Sequence, residues 1–284
     1  MKRISPDGRA VVVTGASTGL GRECALHLDR LGFQVFAGVR RDDDGRALEA
    51  AAAGGLRALP LDVTDEDSVR DAVKTVNGDR LWGLVNNAGI CVPAPLECLS
   101  PDRLREQLEV NVVGAVAVTR AFLPLVRHAR GRVVNISSGL GRVASPYLGA
   151  YAASQFAKEA ISDALRRELR PFGVCVSVVE PGAILTPIWT KVAEQGADVL
   201  DAMEPAVGNL YRRSFLDFLT ANDKRARSSR TTTRDCAAVV AHALLATRPK
   251  IRYQVGLDAR LGSLLARLLP DTVIDRAFAK AVVR

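Results

Sequence analysis

The stretch Ala10-Val11-Val12-Val13-Thr14-Gly15-Ala16-Ser17-Thr18-Gly19-Leu20-Gly21 decides how the rest of the chain reads. A short apolar run rich in valine, Arg9 to Thr14, has the pattern of a strand buried on both faces. The glycines that follow run straight into a helical pattern at 19–31. Glycine at a strand end lets the backbone approach a pyrophosphate closely, and a helix N-terminus adds free N–H groups and a favourable dipole. The spacing here is Gly-x-x-x-Gly-x-Gly. By itself it also suits a tight structural turn.

Working outward, the same alternation repeats. Strand candidates are Arg9 to Thr14, Phe33 to Val39, Arg57 to Leu61, Leu81 to Asn86, Gly131 to Ser137, Val174 to Val179 and Ile251 to Val255. Helical patterns lie near 19–31, 45–53, 65–76, 101–127, 150–171 and 234–247, with more at 258–268 and 271–282. Thr64 before Asp65, Glu66 and Asp67, and Ser100-Pro101-Asp102, carry N-cap signals. Seven strands alternating with helices predict a single α/β domain over 1–284, a doubly wound parallel sheet with helices on both faces. The rhythm breaks between Thr186 and Thr233. That strandless insertion, about 187–233, follows the sixth strand on the side where open α/β sheets bind ligands, so a substrate lid or pocket wall is expected there. A helical extension is expected over 257–284.

Composition narrows the class. Of 284 residues, 48% are hydrophobic and 25% charged, with 23 glycines and 13 prolines, which excludes collagen, low-complexity disorder and a disulfide miniprotein. Five scattered cysteines, Cys24, Cys91, Cys98, Cys175 and Cys236, read as reduced small hydrophobes. The three histidines, His27, His128 and His242, lack metal-ligand spacing, so no metal is expected. The net charge of +8 sits partly in Lys224-Arg225-Ala226-Arg227-Ser228-Ser229-Arg230, almost without aromatic interleaving, and does not point to nucleic acid. No apolar run approaches the roughly 20 residues of a bilayer span, and Met1-Lys2-Arg3-Ile4-Ser5-Pro6 does not read as a secretory leader. A cytoplasmic location is the expectation.

Further motifs fall in order along the chain: Asp62-Val63 after the third strand, Asn86-Asn87-Ala88-Gly89 ending the fourth, Asn111 in the long helix, and Ser138 after the fifth strand. Tyr151 follows thirteen residues later, and Pro181-Gly182-Ala183-Ile184-Leu185-Thr186 follows the sixth strand. With the glycine turn, these make the chain resemble the short-chain dehydrogenase/reductase family over nearly its whole length. The resemblance implies a Rossmann fold and a nicotinamide cofactor held by Gly15, Ser17, Thr18, Gly19, Leu20 and Gly21 at the phosphates. It puts Asp62 and Val63 at the adenine and Asn87, Ala88 and Gly89 along the cofactor. Pro181, Gly182, Ile184 and Thr186 would meet the nicotinamide. It assigns Asn111, Ser138 and Tyr151 to catalysis, Tyr151 as proton donor and Ser138 as second donor to the reacting oxygen. The long segment after Thr186 and the ending Arg252-Tyr253-Gln254-Val255-Gly256 look most like the steroid- and retinoid-type dehydrogenases.

The cofactor choice turns on Phe36-Ala37-Gly38-Val39-Arg40-Arg41. Val39 stands where an acid would meet an NAD ribose, while Arg40 and Arg41 suit a 2′-phosphate, so NADP(H) is favoured and NAD(H) is the alternative. Asp42, Asp43 and Asp44 would repel a phosphate if they folded back.

One departure is plain. The family places a lysine four residues after its tyrosine, where it favours the phenolate and holds the nicotinamide ribose; here Tyr151-Ala152-Ala153-Ser154-Gln155-Phe156-Ala157-Lys158 puts Gln155 there. Glutamine can bond a ribose hydroxyl but carries no charge. Lys158, seven residues on, lies on the same helical face about 10 Å along the axis and reads as a surface lysine, with a side chain leaning toward the N-terminus to reach the ribose as the alternative. Three readings follow: a working oxidoreductase, a cofactor binder doing isomerisation, dehydration or ring closure, and an impaired or silent variant. Leu140, Val143, Ala144, Tyr147, Leu148, Ile188 and Trp189, with the aromatics of the insertion, suggest an apolar wall for a hydrophobic steroid-, retinoid- or polyketide-like alcohol or ketone. The helices 101–127 and 150–171 are the surfaces through which the family forms dimers and tetramers. The tail residues Leu261, Leu264, Leu265, Leu268, Leu269, Val273, Ile274 and Phe278 could pack on this chain, on a neighbouring subunit or, less favoured, on a membrane surface.

Overall fold

The computed structural model describes residues 4–76 and 81–282. Met1-Lys2-Arg3, read above for a leader, and the last two residues of the expected extension lie outside them. Seven parallel strands form one sheet in the order β3-β2-β1-β4-β5-β6-β7: β1 (Ala10–Val13), β2 (Gln34–Val39), β3 (Leu56–Pro60), β4 (Leu81–Asn86), β5 (Arg132–Ile136), β6 (Cys175–Pro181) and β7 (Arg252–Val255). Val13 sits opposite Ala37 on one side and Val85 on the other. The order reverses between β1 and β4, which opens a crevice at their carboxyl ends.

The valine run of β1 shows why the sheet is two-sided. Side chains alternate along a strand, so Val11 and Val13 enter one apolar layer and Val12 the other, and all three are fully buried. The first layer is closed by α1 (Gly19–Arg30), α2 (Asp42–Ala50) and α9 (Thr233–Leu245), supplying Cys24, Leu28, Leu48, Val240 and Leu244. The second is closed by α3 (Glu66–Thr75), α5 (Gly114–His128) and α6 (Gly149–Leu169), supplying Val69, Phe122 and Val126.

Several boundaries differ from expectation. α2 begins at Asp42 rather than near 45, because Asp42, Asp43 and Asp44 fill its first turn, where the helix dipole favours acids. The cap of α3 is Asp65, whose carboxylate accepts from the backbone of Asp67 and Ser68; Thr64 instead donates to Asp62 at 2.7 Å. Ser100 caps α4 (Pro101–Leu108) with Pro101 at its first position. The helix expected over 101–127 is broken into α4, a π-helical turn at Glu109–Val113 and α5. Taken as one helix, Pro101–His128 is the one described element long and apolar enough to cross a bilayer, against the expectation that no segment of the chain approaches such a span. Its Val118, Phe122 and Val126 are spent on the sheet.

The insertion is a helical hairpin, α7 (Pro187–Ala202) and α8 (Pro205–Arg227), each with proline in its first turn. It carries its own small core of Val192, Leu200, Phe215 and Phe218 against Leu148 and Cys91. The extension forms α10 (Leu257–Leu268) and α11 (Asp271–Val282), with Leu261, Leu264, Leu265 and Leu268 outward-facing. Cys24, Cys91 and Cys236 are buried, while Cys98 and Cys175 are partly exposed; all five are free thiols.

Candidate active site

A cleft of about 900 Å³ opens at the switch point. Its inner end is the glycine turn. Gly15 and Gly19 have φ of +63° and +56°, and a Cβ on Gly21 would stand 2.1 Å from the Gly15 carbonyl oxygen, so neither the turn nor the start of α1 admits side chains there. Thr18 caps α1 without a side-chain hydrogen bond, leaving the first-turn N–H groups to a ligand. The turn is held from β4. The Thr14 hydroxyl accepts from Asn87 N and Ala88 N at 3.0 and 2.9 Å, and Asn87 Nδ2 donates to the Thr14 and Gly15 carbonyls at 3.0 and 3.1 Å. Asn86 spans the sheet, donating to Thr119 and Asn135, each at 2.8 Å.

Arg40 and Arg41 close the far end, both exposed and both lining the cleft together with Asp44, Asp62 and Val63. Asp42, Asp43 and Asp44 are occupied as the first turn of α2. Arg41 reaches Asp43 only at 3.9 Å, and among the described residues Arg40 has no ion pair.

The chemical end is built by β5, the π-helical turn and α6. Ser138 lies two residues past β5, and its hydroxyl accepts from Leu140 N at 3.1 Å, fixing the turn that follows. It also stands beside the Tyr151 phenol. Burial pushes that phenol well above the ordinary tyrosine range and the neighbouring Cys91 thiol adds to this, while the nearby Ser138 hydroxyl opposes both. Asn111 lies fully buried in the π-helical turn. Its amide donates to Ile90 O at 3.0 Å and Ser154 Oγ at 3.1 Å and accepts from Ile90 N at 2.8 Å, tying the loop after β4 to α6. π-helical turns gather at functional sites because they aim one side chain out of helical register.

Gln155 is buried beneath Tyr151, and its Oε1 has no hydrogen-bond partner. Lys158 corrects the sequence reading: it is 4% exposed, not a surface residue, and lines the cleft floor. Its Nζ donates to Ile136 O at 3.1 Å. Burial brings its pKa down to about 8, against the opposing pull of Glu159. The period-seven placement was visible, but the depth of the groove between β5 and α6 that receives the side chain was not.

The walls follow the expected set in part. Leu140, Val143, Leu148, Ile188 and Trp189 line the cleft with Pro181, Gly182, Ile184 and Thr186. Tyr147 does not. With φ of +63° it turns its ring away, 5.3 and 5.1 Å from the centroids of Phe215 and Phe218, and its hydroxyl donates to Ser214 at 2.8 Å. The insertion's phenylalanines therefore close a small core instead of facing a substrate, since two buried rings gain more from each other than from an open cleft.

Cys91, Asp258 and Phe278 also line the cleft, although Cys91 and Phe278 read only as apolar packing residues and Asp258 belongs to no motif. Asp258 accepts from Ala183 N at 2.7 Å and from Arg225 at 3.2 Å, pinning the segment after β6 from α10. Beneath that segment Arg142 and Arg252 clamp the buried carboxylates of Glu159 and Glu180 at 3.0 to 3.4 Å.

The glycine cradle, the uncapped start of α1 and the unpartnered amide oxygen of Gln155 together fit a dinucleotide laid from Arg40 to Tyr151. Comparison with known proteins agrees. Residues 9–197 match the family model described as short chain dehydrogenase. A 3-amino-tetrahydro-pyrrolizinone reductase of Xenorhabdus hominickii is 44% identical over 95% of this chain and 94% of its own length. Retinol dehydrogenase 5 of Mus musculus is 40% identical over 93% and 86%. Among solved structures, a short-chain dehydrogenase from Streptomyces avermitilis superposes with a TM-score of 0.76 at 28% identity, covering 96% of this chain and 95% of the other. The chain belongs to the short-chain dehydrogenase family of nicotinamide-dependent oxidoreductases.

Proposed function

We propose that the protein interconverts a hydrophobic alcohol and its ketone or aldehyde using NADP(H), with Tyr151 and Ser138 acting on the reacting oxygen. The observation that carries this reading is the Ser138 hydroxyl standing beside the Tyr151 phenol at the point where the cleft meets its apolar wall. When bound, the nicotinamide supplies or accepts the hydride. In the reducing direction the Tyr151 O–H gives its proton to the developing alkoxide, and Ser138 donates a hydrogen bond to the same oxygen. Asn111 holds α6 and the loop after β4 in register, and the Gln155 amide faces the ribose. Gly15, Ser17, Thr18, Gly19, Leu20 and Gly21 take the phosphates, Asp62 and Val63 the adenine, and Asn87, Ala88, Gly89, Pro181, Gly182, Ile184 and Thr186 the nicotinamide half.

Preference for NADP(H) rests on the unpaired Arg40 and on Val39, which offers a ribose hydroxyl no acceptor. The apolar wall of Leu140, Leu148, Ile188 and Trp189, and the retinol and pyrrolizinone substrates in the names of the two relatives, support a hydrophobic cyclic or polyene substrate. A panel of such ketones should oxidise NADPH in the presence of the native chain and not of Tyr151→Phe. NADPH should bind at least tenfold tighter than NADH, about 1.4 kcal/mol. Product formed without cofactor oxidation would favour isomerase or cyclase chemistry, and no turnover of any carbonyl or alcohol would sink the oxidoreductase assignment.

A further inference from the structure

A buried phenol that must release a proton needs a cation, and the cleft has one buried candidate. Five cationic side chains line it. Arg40, Arg41, Lys191 and Arg225 are exposed at its rim, whereas Lys158 is buried in its floor. On α6, Tyr151, Gln155 and Lys158 follow one another at four and three residues, so they share a face. A helical lysine leans toward the N-terminus, and here its Nζ reaches Ile136 O at the end of β5, two residues before Ser138. Nζ has three donors, and the structure shows one used, on Ile136 O; one turn away the Gln155 Oε1 has no partner.

Resting on the oxidoreductase reading above, we propose that Lys158 is the displaced cation of the site. Its ammonium, two turns below Tyr151, places a positive charge in the cleft floor on the side of the nicotinamide ribose. Gln155, whose Oε1 has no partner in the structure, lies between the two positions on the same helical face, where its amide would meet the ribose. Gln155 and Lys158 together thus divide the work that one lysine four residues after the tyrosine does elsewhere in the family.

The groups facing Lys158 permit this. On α6 they are Glu159, which favours the ammonium, and Gln155; from β5, Ile136 O and Asn135; from the facing helix, Asn111, Thr119 and, at the exposed outer edge, Arg120. Glu159 is itself held by Arg142 and Arg252, so no free carboxylate neutralises Lys158. The apolar neighbours Ala115, Val116, Leu123, Ile161 and Leu165 give no second reason for a charge there.

Lys158 titrates near pH 8, inside an accessible window. NADPH binding followed by fluorescence quenching should weaken at least threefold between pH 7 and pH 9.5 in the native chain. In Lys158→Met it should be about tenfold weaker at pH 7 and flat over that range. In turnover, Lys158→Met should lower kcat at least tenfold, and Gln155→Lys/Lys158→Met should recover most of the loss. A purely packing lysine would not be rescued by a charge at another position. Native binding independent of pH from 7 to 9.5, or a folded Lys158→Met that binds and turns over like the native chain, would overturn the proposal; the first outcome decides even if the variant fails to fold. Should the native chain turn over no carbonyl, the oxidoreductase reading falls while the binding arm still decides the role of Lys158.

Discussion

A lysine as deeply buried as Lys158 costs folding energy wherever it is charged. Its folded pKa of about 8 lies below the ordinary 10.5. Below pH 8 both folded and unfolded chains carry the proton and the penalty is complete. Between about 8 and 10.5 the unfolded chain binds a proton that the native chain has released, so stability rises with pH across that window. At about 1.4 kcal/mol per unit the penalty is on the order of 3 kcal/mol, offset by the bond to Ile136 O, worth about 1 kcal/mol. Lys158→Met is therefore expected to be more stable than the native chain by roughly 2 kcal/mol at pH 7, with the advantage shrinking toward pH 10. Urea unfolding at both pH values checks this, and a variant less stable at pH 7 would show that packing outweighs charge. A residue that lowers stability while lining the cleft is the pattern of a functional group.

At the scale of elements, the insertion divides into two roles. α8 anchors the hairpin through Phe215 and Phe218, which are almost completely buried and flank the Tyr147 ring. α7 presents Ile188, Trp189, Lys191, Val192 and Gln195 to the cleft, and Trp189 Nε1 donates to Ile184 O at 2.9 Å in the segment assigned to the nicotinamide. The expectation of a lid over 187–233 therefore concerns α7, since α8 is anchored. Hydrogen exchange should show protection rising in 187–195 when NADPH and a ketone or its inert analogue are added, with the inner face of α8 already protected. Equal and unchanged protection in both helices would exclude a lid. The hairpin has a weak signature in the sequence because charged residues interrupt its apolar spacing and glycines, Gly196 and Gly208, fall within both helices. Gly196 instead lets Leu219 approach, since a Cβ there would stand 2.6 Å from its side chain.

At the scale of the whole molecule, the π-helical turn and the outer faces of α5 and α6 leave Val113, Val116 and Phe156 exposed beside a groove lined by Leu123, Ile161 and Leu165. Such a face suits a homo-oligomer, as expected from the resemblance. Light scattering of the full chain should give a dimer or tetramer, and Phe156→Glu should reduce the mass toward the monomer with the cofactor site intact. An unchanged mass would place the interface elsewhere. The exposed leucines of α10 form a second apolar face, and Phe278 of α11 reaches the cleft, so the extension is part of the pocket and not a detached tail.

What the residues alone determined was the set of local rules: valine runs that are stable only when covered on both faces, glycines that only a close turn tolerates, and an ordered series of motifs at strand ends. These dictate the parallel sheet, its switch point and the positions of Ser138, Tyr151, Asn111 and the glycine turn, because each depends on neighbours near in the chain. Tertiary structure decided what depends on distant packing. The depth of the groove under Ile136 turned Lys158 from a surface residue into a buried cation. The burial of Phe215 and Phe218 drew Tyr147 out of the pocket. The return of α10 brought Asp258 onto the segment after β6. In each case the deciding quantity was the environment supplied by a remote element, and desolvation and packing have no signature in the spacing of residues along one helix.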